Sequence, residues 1–110
     1  MADKILLVQG DTAPPLNVTL TDANTEAAIN VSGATVRLKF RALGSETVRS
    51  TLVGSVTDGA AGKVSFFWSD DANALAGDAG DYEAEIEITY SDGTIQTVYD
   101  LLKFKLRQEF

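Results

Sequence analysis

Strict alternation of polar and apolar residues is the feature that most limits how this chain can fold. From Thr35 to Arg41, from Tyr82 to Tyr90 and from Leu102 to Arg107, the even-numbered residues are apolar or aromatic and most of the odd-numbered ones are charged. A period of two places successive side chains on opposite faces of a β-strand. The three stretches are therefore predicted to be strands with one buried face and one solvated face.

The rest of the sequence consists of further short β-type runs between turn residues. No stretch keeps a helical period over the ten or more residues that a helix needs. Gly54 interrupts a long run and predicts a bulge or bend there. The other predicted strands cover residues 5–9, 16–20, 47–57, 63–69 and 94–99. About seven strands without intervening helices indicate an all-β sandwich or a small barrel.

A D-x-G-x-Y motif favours the sandwich. The sequence reads Asp78-Ala79-Gly80-Asp81-Tyr82, which has the form of the tyrosine corner of immunoglobulin folds. In that motif the tyrosine hydroxyl binds backbone a few residues upstream; the alternative is a plain buried tyrosine after a turn. Gly80 and Tyr82 are thus predicted structural residues of an immunoglobulin-like antiparallel β-sandwich of about seven strands.

The core of this sandwich is predicted to centre on Trp68. Alternation along residues 63–69 turns Trp68 inward and Phe67 outward. Ile95 and Tyr99 are also assigned to the core, although they are odd-numbered and the core positions after them are even-numbered. We therefore expect the phase of the last strand to slip near Asp100-Leu101, through a bulge.

Charged residues form ladders on three of the predicted strands. They are Arg37, Lys39 and Arg41; Glu83, Glu85 and Glu87; and Lys103, Lys105 and Arg107. In an immunoglobulin strand order the glutamate strand lies between the two basic ones, and opposite charges then pair across strands for roughly 0.2–1 kcal/mol each. The simplest interpretation is a solvated, self-neutralised face; the alternative is a polar docking surface.

Length and composition indicate one globular domain covering residues 1–110. Apolar residues make up 45% of the chain and charged residues 23%, as in ordinary globular proteins. The run Ile5-Leu6-Leu7-Val8 is too short for a signal-peptide core or a membrane span. We expect the chain to be made and kept in cytosol-like conditions.

The residue types that most enzymes need are missing. The sequence has no cysteine and no histidine, which removes the thiolate nucleophile and the commonest general base and metal ligand. We expect no enzymatic activity and no cofactor. The net charge of −7 repels nucleic acid and anionic membranes, so other proteins are the expected partners.

The aspartates around residues 70–81 are the one candidate in the sequence for a cation site. Asp70, Asp71, Asp78 and Asp81 flank the predicted crossing loop between the fifth and sixth strands. The spacing is a poor match to a calcium loop, because Tyr82 stands where the bidentate glutamate belongs. We therefore predict no metal site and expect Asp71 to cap a helical turn.

Four stretches of the chain resemble a known family. Residues 9–20, 62–68, 79–85 and 91–97 are similar, in order, to landmarks of the immunoglobulin-like N-terminal domain of bacteriophage baseplate upper proteins. Val98 departs from the pattern, since a proline is common in the family after the Gln-Thr step. Members usually continue beyond this domain, whereas this sequence ends at Phe110.

The resemblance implies a virion structural protein of the baseplate or tail, present in the host cytoplasm during assembly. Its expected partners are other virion proteins, in a homo- or hetero-oligomeric assembly. A decoration or connector protein of the capsid or neck is an alternative. A carbohydrate- or receptor-binding module is another, and it would use the aromatic residues Phe67, Tyr90 and Tyr99.

Overall fold

The computed structural model describes residues 4–71, 73–99 and 101–110, and the fold over these ranges is all-β. Trp68–Asp70 form one 3₁₀ turn, and no helix in these ranges is long and apolar enough to cross a membrane. The strands are β1 (Ile5–Val8), β2 (Leu16–Thr19), β3 (Thr35–Ala42), β4 (Ser50–Val53), β5 (Ser55–Asp58), β6 (Lys63–Phe66), β7 (Gly80–Thr89), β8 (Ile95–Thr97) and β9 (Leu102–Arg107). The predicted all-β class is confirmed.

These strands form two sheets. The larger has the order β1-β9-β7-β3-β4, and β8 pairs with β7 on the same side as β9. It is a mixed sheet, because β1 runs parallel to β9 while the other pairs are antiparallel. The smaller sheet is antiparallel, in the order β2-β6-β5.

Side chains from both sheets meet in a single hydrophobic core. Its centre is aromatic: the Phe40 ring lies 5.4 Å from that of Trp68 and 5.2 Å from that of Phe104, both edge-on. Trp68 is 2% exposed, which confirms its predicted place in the core. It is held there by the 3₁₀ turn after β6 and not by a strand.

Gly54 is the point at which the chain crosses from one sheet to the other. It alone separates β4, in the larger sheet, from β5, in the smaller sheet. A β-carbon on Gly54 would lie 2.5 Å from Val64 Cγ1 and 2.8 Å from Phe66 Cε1. The predicted bend is confirmed, and the absence of a side chain lets the backbone pass close to β6.

The predicted inward placement of Ile95 and Tyr99 is wrong. Both side chains are exposed, at 64% and 83%, and Val98 packs against the core instead. Between the pairs Glu87–Thr97 and Ala84–Leu102, β7 has two residues and the opposite segment has four. Two extra residues are an even number, so even-numbered residues face the core both before and after the insertion. The irregularity therefore lies where it was expected, but it does not exchange the inward and outward faces of the strand. Asp100 lies outside the described residues.

Candidate interaction surface

The D-x-G-x-Y segment forms the hydrogen bond that its sequence predicts. The Tyr82 hydroxyl donates to the carbonyl oxygen of Asp78 at 2.5 Å, and the Tyr82 ring stacks on Phe40 at 5.0 Å. Gly80 begins β7 with a φ of 145°, a conformation that favours glycine. Tyr82 and Trp68 thus meet through Phe40, while Gly80 sets the backbone at the start of the strand.

Replacing Tyr82 with phenylalanine is expected to lower the free energy of unfolding by about 1–2 kcal/mol, because the Asp78 carbonyl oxygen loses its part-buried donor while the ring stacking remains. Urea denaturation followed by circular dichroism measures the change. Tyr99→Phe is the matched control, since the exposed Tyr99 should tolerate the same edit within about 0.5 kcal/mol. Equal stability of the two variants would contradict a structural role for the Tyr82 hydroxyl.

The three charge ladders lie side by side on the outer face of the larger sheet. In the register of β3 and β7, Arg37, Lys39 and Arg41 stand opposite Glu87, Glu85 and Glu83, respectively. On the other side of β7, Lys103 stands opposite Glu83 and Lys105 opposite Asp81. The expected order of a glutamate strand between two basic strands is therefore confirmed.

Glu83 is the most tightly held of these acids. Its side chain is 7% exposed, and its two oxygens bind Arg41 Nη2 at 2.6 Å and Lys103 Nζ at 3.1 Å. The hydrogen bond from Lys103, followed by that from Arg41, holds the pKa of Glu83 below its usual value. Alternation predicted an outward glutamate, but not that two long cationic side chains would cover it.

Replacing Glu83 with glutamine is expected to cost about 1–2 kcal/mol of stability at pH 7, because Arg41 and Lys103 lose their shared counter-charge. A carboxylate whose pKa is lowered by folding stabilises the protein above its unfolded pKa, and this contribution disappears as pH falls through the folded pKa. The gap between the two proteins should thus close in acid, below about pH 4.

Thermal melts at pH 7 and at successively lower pH values check this expectation. Glu85→Gln is the matched control, because Glu85 lies on the same strand and the same face with no ion pair among the described residues. A constant stability difference between wild type and Glu83→Gln across this range would contradict the assignment.

Two of the four acids around the crossing loop, Asp71 and Asp81, make side-chain contacts within the chain. Asp71 accepts hydrogen bonds from the Ser50 hydroxyl at 2.6 Å and the Asn73 N–H at 3.0 Å, and these contacts lower its pKa. Asp71 therefore stabilises a turn through its side chain. The predicted helical turn beginning at Asp71 is not confirmed, because the described 3₁₀ turn, Trp68–Asp70, ends just before Asp71. Lys4 binds Asp81 at 2.9 Å and lowers its pKa. Across the described ranges, no three Asp or Glu side chains are placed to hold a metal ion.

A cleft of about 570 Å³ lies beside Tyr82, between this loop and the connection from β3 to β4. Its main cation, Arg49, already donates to the carbonyl oxygens of Asn73 and Ala74. One of its acids, Asp81, is bound by Lys4. Arg49 and Asp81 are therefore already engaged in contacts within the chain.

Open strand edges are the remaining candidate for binding. Over the described residues, β1 and β4 end the larger sheet, and β2 and β5 end the smaller one. Exposed apolar side chains lie on three of these edges: Leu6 on β1, Val53 on β4 and Val56 on β5. The short apolar run at residues 5–9 predicted β1 as a strand, but its parallel pairing with β9 had no signal in the sequence.

The aromatic residues considered for carbohydrate binding do not all belong to one sheet. Phe67 follows β6 of the smaller sheet, whereas Tyr90 and Tyr99 follow β7 and β8 of the larger one. Phe67 and Tyr99 are exposed. Tyr90 is half-buried, and its hydroxyl donates to Gln96 at 2.7 Å.

The sequence was compared with models of known protein families and with curated proteins, and neither comparison found a match.

Proposed function

We propose that this chain is an immunoglobulin-like assembly module of a bacteriophage virion, acting without enzymatic activity. The strand orders β1-β9-β7-β3-β4 and β2-β6-β5 and the Tyr82 hydrogen bond support the immunoglobulin-like part. The four stretches similar to baseplate upper proteins support the virion part. Within the virion, a place in the baseplate or tail is favoured.

The observation that carries the binding role is the set of open strand edges with exposed apolar side chains. A strand edge presents N–H and C=O groups that an added strand of another protein satisfies. Edges with Leu6 or Val53 at the surface also offer apolar area to cover. A chain whose sheets end, over the described residues, in open edges is suited to joining other proteins.

Locating the chain in purified virions tests this proposal. We expect it in virions of the phage that encodes it, by mass spectrometry and antibody labelling at the tail tip. The purified chain should also bind at least one purified virion protein of that phage in surface plasmon resonance. Labelling at the capsid or neck would support the decoration or connector alternative. Absence from virions, together with no binding to any virion protein, would overturn the proposal.

A carbohydrate-binding role is the second candidate, and a glycan array separates it from the first. We expect no binding, because Phe67 and Tyr99 belong to different sheets and the Tyr90 hydroxyl is already bound to Gln96. Saturable binding that Tyr99→Ala or Phe67→Ala abolishes would favour the second candidate.

A further inference from the structure

The edge of β1 has a defined set of backbone groups that point away from the sheet. Gln9 N–H donates to Arg107 C=O at 2.9 Å, so the odd-numbered residues of this segment direct their backbone groups toward β9. Those of Leu6 and Val8 point to the open side, because the direction alternates along a strand. Val8 C=O accepts from Asp11 N–H. In the described ranges no strand pairs with this side of β1.

Apolar surface accompanies these backbone groups. Leu6 is 77% exposed, and it lines a groove of about 340 Å³ together with Leu7, Val8, Lys105 and Arg107. Leu6 stands beside Lys105, and Val8 beside Arg107, in the register of β1 and β9. An added strand would therefore gain both hydrogen bonds from the edge and a place for an apolar side chain against Leu6.

The charged residues that line this groove, Lys105 and Arg107, are both cations, although the whole chain carries −7. Lys4 Nζ forms an ion pair with Asp81 Oδ1 at 2.9 Å, whereas Lys105 Nζ lies 3.9 Å from the same oxygen. Arg107 contacts the Gln108 carbonyl oxygen and the Phe110 ring, and over the described residues it forms no ion pair. Two cations beside the groove are thus incompletely neutralised.

From this combination we infer that the open edge of β1 accepts an extended acidic segment of a partner protein as an added strand. This inference rests on the proposed role as an assembly module. An apolar side chain of the segment covers Leu6, and its carboxylates bind Lys105 and Arg107, whose side chains are long enough to span the one intervening strand, about 4.8 Å wide. A second copy of this chain fits less well, because pairing two β1 edges would bring like charges together.

The overall negative charge does not prevent such binding at physiological salt. Charges farther apart than about 8 Å are largely screened there, whereas carboxylates seated at the groove interact at contact distance. Binding should therefore weaken as salt concentration rises, because its charged contacts are at the protein surface.

A capped fluorescent peptide in which Glu and Val alternate at every second position, with Thr between them, presents both side-chain types on one face and tests the inference. It is titrated into the purified chain and followed by anisotropy. We expect saturable binding, slower exchange of the Leu6 and Val8 amide protons, and no comparable binding of the same peptide with Lys in place of Glu. Lys105→Glu should weaken binding by about tenfold or more. Lys63→Glu, the same charge change on the smaller sheet, should leave it within about twofold.

A proline at position 6 tests the backbone contribution separately. The Leu6 N–H points away from β9, so Leu6→Pro removes an edge donor and should leave the fold intact by circular dichroism. It should abolish peptide binding. If this variant unfolds, two other measurements test the inference: the difference in peptide binding between Lys105→Glu and Lys63→Glu, and the exchange of the Leu6 and Val8 amide protons.

Three outcomes would overturn the inference: equal binding of acidic and basic peptides, equal losses in Lys105→Glu and Lys63→Glu, or a dimer in sedimentation that Leu6→Pro dissociates. None of these outcomes would contradict the proposed function, because the chain could still be found in virions. Conversely, a chain absent from virions and inert toward virion proteins would overturn the proposed function even if the peptide binds.

Discussion

Replacing Trp68 with alanine is expected to lower the free energy of unfolding by about 3–5 kcal/mol, the largest single effect we predict for this chain. Trp68 is 2% exposed, and its ring packs edge-on against Phe40 at 5.4 Å and Phe104 at 5.9 Å. The variant would leave a cavity where residues of both sheets meet. Domains of this size are usually stable by only about 5–15 kcal/mol, so much of the total would be lost.

Urea denaturation measures this loss. It is followed by circular dichroism, because the variant lacks the only tryptophan of the sequence and therefore has no tryptophan fluorescence to follow. Phe67→Ala is the matched control: Phe67 is the neighbouring aromatic residue, and its side chain is partly exposed. We expect it to cost clearly less. Trp68→Phe should fall between the two, because it keeps part of the aromatic packing. Equal midpoints for Trp68→Ala and Phe67→Ala would show that Trp68 does not centre the core.

Replacing Gly54 with alanine is expected to cost about 1–3 kcal/mol, although alanine adds only one carbon atom. That carbon would lie 2.5 Å from Val64 Cγ1 and 2.8 Å from Phe66 Cε1, closer than packed carbon atoms approach. The Gly54 N–H also donates to the Val36 carbonyl oxygen at 2.7 Å, which ties this backbone to β3. A shift that relieves the clash would therefore strain the crossing between the sheets.

A double-mutant cycle with Val64→Ala identifies the cause. Removing Val64 Cγ1 should reduce the cost of the alanine at position 54, so that the two substitutions are not additive. Ser55→Ala, at the next and exposed position, is the control and should stay within about 0.5 kcal/mol. Full additivity in the cycle would contradict a steric role for Gly54.

Local patterns predicted the elements and the faces of the longest strands. Alternation placed the ladders of β3, β7 and β9 on one surface, and the structure pairs them in the expected order. The D-x-G-x-Y motif predicted the Tyr82 hydrogen bond to upstream backbone. These predictions succeed because side-chain direction in a strand, and a bond across four residues, depend mainly on nearby sequence.

Ile95 and Tyr99 show where local patterns fail. Both are large and apolar or aromatic, which favoured a core position. However, β8 pairs with β7 in a register that turns Ile95 outward, and Tyr99, which follows β8, is also exposed. The burial of Glu83 was also not predicted from the sequence, because the side chains that bind it, Arg41 and Lys103, are distant along the chain. Burial at such positions depends on which strands become neighbours.

The sequence by itself determined the all-β class, the turns between strands, the aromatic centre at Trp68 and the faces of β3, β7 and β9. Only the tertiary structure decided that β1 runs parallel to β9, that the chain changes sheets at Gly54, and which edges stay open. The reason is physical: the period of a strand is set by its own residues, whereas its partner and direction are set by packing with residues far along the chain.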